Sequence, residues 1–260
     1  MEQICNDLAK EQEELDAVVA NLDEVGWKTM TPSEGWDIKE QIRHLAYYED
    51  RAKLAASNQE AFKQWFEEMQ QDPNKMRRHE ETTGKDLNAE GTLKWWREER
   101  RALLKVLAKM DRKKRLHWYG PALSAMTFAT ARLMETWAHG QDVVDALGIQ
   151  RKPTDRLRHI AHMGVSTLRF SYANRNMEAP DTPVRVELTG PSGDLWSWGP
   201  EEAKDVVKGP AEDFCLVAVQ RRHVADTNLI INGETAQQWM SIAQVYAGPP
   251  TEGRKPVMFP

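Results

Sequence analysis

The segment SAMTFATARLMETWAHGQDVVDALG carries a carboxylate and an imidazole, Glu135 and His139, four residues apart in a largely apolar stretch. Four residues is just over one helical turn, so both side chains leave the same face. Ala131, Met134, Ala138 and Val143 make their surroundings apolar. A glutamate buried there is costly unless it is paired or bound to a metal. That constrains the fold, because the face needs a covering element with a group to offer. His44, in DIKEQIRHLAYYED, sits amid apolar neighbours on a second expected helix. Two neutral imidazoles and one carboxylate suit a borderline divalent ion such as zinc. Three protein ligands leave a position open for water or substrate, as in catalytic rather than structural sites. Plainer readings stay open: a Glu135–His139 helix pair, Glu135 bonded to an arginine, or His44 satisfied within a core.

The first half reads as helical. Leu8, Leu15, Val18, Val19 and Leu22 recur close to the 3.6-residue period over residues 4–22. Asp37, with Glu40 three residues on, is an acidic capping box that starts the His44 helix. A shorter helix is expected over 58–71, ended by Asp72, Pro73 and Asn74, with Arg77 and Arg78 in the following loop. Residues 89–110 form a long helix with Leu93, Trp96, Leu103, Leu104 and Leu107 inward. Pro121 precedes the helix of Glu135 and His139, Ser124 caps it and Gly148 closes it. A final helix is expected over 155–173.

The second half changes period. VRVELT alternates as a half-buried strand does, GPSG turns, and LWSWG returns as its partner. Residues 211–221 read as a helix, 229–231 as a short strand and 234–246 as a last helix. Strands mixed with helices mark an α+β domain. Asn, Pro and Asp cluster at 174–183, which sets the expected boundary as 1–178 for a metal-binding helical bundle and 179–260 for an α+β domain.

The stretches GWDIKEQIRHLAYYEDRA, METWAHGQDVVDALG, VRVELTGPSGDLWSWGP, DFCLVAVQRRH and AQQWMSIAQVYAGPP span roughly the whole chain. Through them the sequence resembles the DinB-like superfamily of metal-dependent four-helix bundles. The resemblance is to its mycothiol-dependent maleylpyruvate isomerase branch, and within that to a subgroup of actinobacterial metal-binding proteins. It implies an antiparallel four-helix bundle followed by a small α+β domain similar to sterol-carrier-protein folds. In that branch one histidine of the second helix and an E-x-x-x-H on the last bundle helix hold the metal, which corresponds to His44, Glu135 and His139 here. The branch often has Asp five residues after the first histidine; here Glu49 stands there and Asp50 follows. The resemblance also implies mycothiol as cosubstrate and an arginine from the C-terminal domain, for which Arg221 and Arg222 are candidates.

Composition narrows the classes. A net charge of −5 argues against a nucleic-acid partner, since phosphate binding wants a basic face. The short run Arg112, Lys113, Lys114 and Arg115 follows an expected helix end, where cations complement the dipole. Two cysteines, Cys5 and Cys215, are too few for a disulfide framework, and both lie outside the metal segments. No signal-peptide pattern opens the chain and no run approaches a membrane span, so a cytoplasmic monomer or homodimer is expected. Arg77 and Arg78 are candidates for holding an anionic substrate bidentately. Asp142 is a candidate to orient a ligand histidine, and Trp36 and Trp137 to wall the pocket. His159 and His162, three apart, form a second metal half-site or a plain helix surface. Three functions compete. The first is a zinc-dependent enzyme using a small thiol to transfer to, or isomerise, a small electrophile. The others are a metal-dependent hydrolase using bound water, and a non-catalytic metal or small-ligand binder whose second domain holds an apolar ligand.

Overall fold

The computed structural model describes residues 1–72 and 74–258. Pro73, expected to help end a helix, lies outside them. The chain divides into two compact units, Met1–Gln150 and Arg151–Pro260.

Four long helices build the first unit: α1 (Glu2–Val19), α3 (Ile38–Ser57), α6 (Ala89–Leu107) and α7 (Ala125–Leu147). Helix α3 lies against α6 and α7, and α1 packs on α7 and α6, which makes a four-helix bundle. The caps explain where the helices start. The Asp37 carboxylate accepts from the Glu40 amide at 2.8 Å, and the Ser124 hydroxyl from the Thr127 amide at 3.0 Å. Asn58 and Asn88 cap α4 (Gln59–Gln70) and α6 in the same way. Gly148 ends α7 at φ 63°, and the Ile149 amide closes back on the Val144 carbonyl at 2.9 Å. That is the left-handed stop for which glycine is suited. Leu15, Val19, Ile38, Ile42, Leu45, Trp96 and Val143 meet in one buried cluster.

Two short helices of this unit were not expected. Helix α2 (Glu24–Trp27) starts at Asp23 and buries Trp27. Helix α5 (Lys75–Thr82) runs through Arg77 and Arg78, where a loop was expected. Its sequence, KMRRHEET, has no apolar stripe and buries no residue fully, so periodicity cannot register it. A two-stranded ribbon, β1 (Arg115–Leu116) with β2 (Leu123–Ser124), leads into α7.

In the second unit four strands form a sheet in the order β4-β3-β5-β6. They are β3 (Val184–Thr189), β4 (Leu195–Trp198), β5 (Asp205–Pro210) and β6 (Ile230–Asn232). Strand β3 pairs antiparallel with β4 in the expected hairpin and parallel with β5. Strand β5 was not expected, because Gly209 and Pro210 disguise its alternation. Helices α10 (Ala211–Ala218) and α11 (Glu234–Ile242) pack on the sheet, with Phe214 and Trp239 buried edge to face at 5.8 Å.

The helix expected over 155–173 is two helices, α8 (Leu157–Ser166) and α9 (Leu168–Ala173). They part at Thr167, whose hydroxyl donates to the Met163 carbonyl at 2.9 Å. The compact units therefore divide earlier than the 178/179 boundary read from composition. Helix α8 packs on α10, and Gly164 makes the approach possible: a Cβ there would stand 2.9 Å from a Phe214 ring carbon.

Candidate functional site

Helix α3 carries His44 and α7 carries Glu135 and His139, and the packing of these two helices brings the three side chains together. One ligand-capable atom from each lies within 4.8 Å of the others. The two imidazole rings are 4.3 Å apart, and Glu135 Oε2 is 3.4 Å from His139 Nε2.

The hydrogen bonds on the far side of each ring fix its tautomer. His139 Nδ1 is 2.6 Å from Gln41 Oε1. Thr31 Oγ donates to the Trp36 carbonyl at 2.8 Å, so it must accept from Gln41 Nε2 at 2.9 Å. This orients the Gln41 amide with its oxygen toward His139. An amide oxygen only accepts, so His139 Nδ1 carries a proton, and Nε2 is the nitrogen that faces Glu135. His44 Nδ1 lies 2.7 Å from Glu80 Oε1 and donates to it, which leaves Nε2 as the ring nitrogen able to ligate a metal. Tyr48 donates to the other Glu80 oxygen at 3.0 Å.

The surrounding groups keep both carboxylates of the site ionised. Burial pushes the Glu135 carboxyl up, but His139, Arg132 and His44 together bring it down to about 2. Burial likewise pushes Glu80 up, and the His44 and Tyr48 donors with the Arg43 charge hold it below the usual carboxylate range. Glu135 Oε2 and His139 Nε2 face each other at 3.4 Å, a gap that a proton on the nitrogen or a metal ion would join. The donor set, two nitrogens and one carboxylate with acceptors behind both rings, fits a zinc-type ion.

Aromatic rings wall the site. Trp36 stands 5.0 Å from the His44 ring and stacks on His139 at 6.0 Å with 18° between planes. The Tyr48 ring is 4.6 Å from His44, and Tyr119 packs edge-on behind Tyr48 at 5.6 Å. Trp36 thus lies where the sequence reading put it, whereas Trp137 is buried in the core.

Other candidates lie elsewhere or bond differently. Gln41 is a partner of His139 that orients its ring, and Asp142 accepts from Ser33 Oγ at 3.0 Å. Arg77 pairs with Glu81 at 3.1 Å and Arg78 with Asp72, both on exposed faces rather than in a loop around a substrate. Arg222 follows α10 in the second unit and donates to the Arg221 carbonyl at 2.8 Å. His162 Nδ1 accepts from the Trp198 indole at 3.1 Å, which uses a nitrogen that a second metal half-site would need. Glu49 is fully buried, accepts from Gln12 at 3.1 Å and lies 3.6 Å from Arg132, so it joins α1, α3 and α7 in the bundle interior. Both cysteines are buried, and burial raises both thiols. No helix among the described residues is long and apolar enough to cross a membrane.

Gln41 and Glu80 were missed by sequence reasoning. Gln41 carried a signal, since it sits one turn before His44 on an expected helix face. Glu80 carried none, because its helix has no apolar stripe.

Known proteins share this architecture. Residues 8–144 match the family model of the mycothiol maleylpyruvate isomerase N-terminal domain, and residues 180–232 match a model described as wyosine base formation. An uncharacterized protein of Mycobacterium tuberculosis, present in two strains, is 43% identical over 248 residues, which is 95% of this chain and 96% of that protein. Crystal structures of a mycothiol-dependent maleylpyruvate isomerase share the fold. A histidine-to-alanine mutant superposes with a TM-score of 0.59 at 17% identity, covering 85% of this chain and 89% of that one. A second structure of the isomerase gives 0.57 at 16%, with the same coverage. The family model covers more than half of the sequence, including the helices that carry His44, Glu135 and His139, and the chain belongs to the mycothiol maleylpyruvate isomerase N-terminal domain family.

Proposed function

We propose that His44, Glu135 and His139 hold one divalent, zinc-type ion. The chain then uses a low-molecular-weight thiol such as mycothiol to transfer to, or isomerise, a small electrophilic substrate. The observation that carries this reading is the facing of Glu135 Oε2 and His139 Nε2, with His44 beside them and both Nδ1 atoms already hydrogen-bonded. A divalent ion bound there supplies Lewis acidity and brings the pKa of a bound thiol or water toward neutrality. The protein's own groups do the rest. Gln41 and Glu80 keep the coordinating nitrogens aimed, Glu135 stays ionised, and the rings of Trp36 and Tyr48 restrict water beside the histidines. Neither Cys5 nor Cys215 offers a thiolate, because both are buried and shifted up. An external thiol fills that gap, and the solved structures that share the fold are of an isomerase named for its dependence on mycothiol.

Elemental analysis and a thiol panel test this. The purified protein should carry about one zinc per chain, and the His44→Ala and His139→Ala variants should lose it. Turnover of generic electrophiles should require added thiol and survive Cys5→Ser with Cys215→Ser. Wild-type metal content in the histidine variants would end the ligand assignment. Full-rate turnover with no thiol would make the enzyme a hydrolase, and tight ligand binding without any turnover would make it a binding protein.

A further inference from the structure

Helix α5 contributes Glu80 to the site from outside the four long helices, and apart from the His79 ring against Tyr47 and Trp65 and a half-buried Met76 its hold on the bundle is polar. No residue of α5 is fully buried. The helix touches α4, where Trp65 stands 5.8 Å from the His79 ring and Glu68 pairs with Lys75 at 2.7 Å, but its contacts to the site side of the bundle come from one stretch of α3. Arg43 donates to the carbonyls of Glu80 and, at 3.1 Å, of Thr83. His44 and Tyr48 donate to the two carboxylate oxygens of Glu80. Tyr47 Oη pairs with His79 Nδ1 at 3.0 Å. An element with so little buried apolar surface belongs to the low end of local stability, so these few bonds decide whether it stays docked.

One of those bonds ends on the imidazole that also faces Glu135 and His139. A cation on Nε2 of an imidazole draws electron density from the ring and makes Nδ1–H a stronger donor. A carboxylate on Nδ1–H, in turn, makes Nε2 a better ligand. Whatever the ion adds to the α5 contact, α5 returns to the ion, because coupling between two binding events is reciprocal.

We propose that Glu80 is a positioning residue of the metal centre, and that docking of α5 on α3 and filling of the site stabilise each other. This rests on the reading of His44, Glu135 and His139 as ligands. The carboxylate contributes no atom to the metal. It sets the tautomer and direction of His44 from a helix that can come and go.

Zinc affinity by competition with a chromophoric chelator tests the first half, on the full chain. Glu80→Ala should weaken zinc binding about 10- to 100-fold. Glu80→Gln keeps an acceptor but loses the charge, and should fall between Glu80→Ala and wild type. Melting of the three metal-free proteins, measured alongside, separates a loss of zinc affinity from the stability lost when the Tyr48 and His44 donors are left without their acceptor. Hydrogen exchange tests the second half. Zinc should slow exchange of the amides over 75–83 in the wild type, and much less in Glu80→Ala. Equal zinc affinity in wild type and Glu80→Ala would overturn the positioning role. Exchange over 75–83 that is indifferent to zinc in the wild type would overturn the coupling. A wild type that takes up no more zinc than His44→Ala would instead remove the metal centre itself, and this inference with it.

Discussion

Gln41 and Glu80 do the same geometric work for His139 and His44 with different chemistry. The amide of Gln41 is neutral and is itself oriented by Thr31, so it fixes His139 without adding charge. Gln41 is fully buried, and a carboxylate there would have to be desolvated. Glu80 retains partial exposure and two donors, so its charge is tolerable. Replacing Gln41 by Leu keeps the apolar volume and removes the acceptor. We expect that variant to bind zinc about tenfold more weakly, measured by chelator competition. Its His139 Nδ1 proton should also lose the NMR shift of a hydrogen-bonded imidazole. Unchanged affinity would mean that Gln41 merely fills space.

Between elements, two contacts join helices through a single side chain or its absence. Asp16 of α1 accepts from Arg97 of α6 at 2.8 Å and also pairs with Arg100, whose other arm reaches the Gln12 carbonyl. Burial pushes the Asp16 carboxyl up, but the two guanidinium groups more than offset it and hold the carboxyl below its ordinary value. A carboxylate depressed in the folded state stabilises fully above its unfolded value of about 3.9. That stability is lost as pH falls through the lower folded value. Asp16→Asn should therefore cost about 3 kcal/mol at neutral pH, because it leaves Arg100 buried without its charge partner. The difference from wild type should shrink as urea melts are repeated toward pH 2, and a constant difference would rule the charge out as its source. In the second unit, Gly164 lets α8 approach α10. Gly164→Val should destabilise that unit by about 1–3 kcal/mol through its clash with Phe214, read by denaturant unfolding.

At the scale of the whole molecule, the chain is two compact units, and the three candidate ligands belong to the first. A fragment ending at Gln150 should fold with helical circular dichroism and bind zinc as the full chain does. If only a fragment extended to 178 folds, the earlier reading of the boundary is the right one for stability. A ligand that binds only the native state adds stability by mass action, about 2.7 kcal/mol at a hundredfold excess over its dissociation constant. Zinc should thus raise the unfolding temperature of the first unit and leave that of the second in place, by scanning calorimetry with and without chelator. A rise in both would show that the units unfold together.

The bundle was legible because its long helices repeat apolar residues at helical period and announce their own ends: Asp37, Ser124 and Gly148 are local signals that need no partner. The spacing of Glu135 and His139 was legible for the same reason, since one helical turn is a local distance. The hairpin of β3 and β4 follows from alternation and a GPSG turn. What tertiary structure decided is everything that depends on which helices touch. The meeting of His44 with Glu135 and His139 needs α3 packed on α7, which spacing along the chain cannot state. Glu80 and Gln41 became partners of the histidines only through such packing, as did the assignment of α8 to the second unit through Gly164. Short-range chemistry is written in neighbouring residues. A contact between side chains far apart in sequence is written only in the fold, where a polar helix such as α5 is held by the groups it meets rather than by its own pattern.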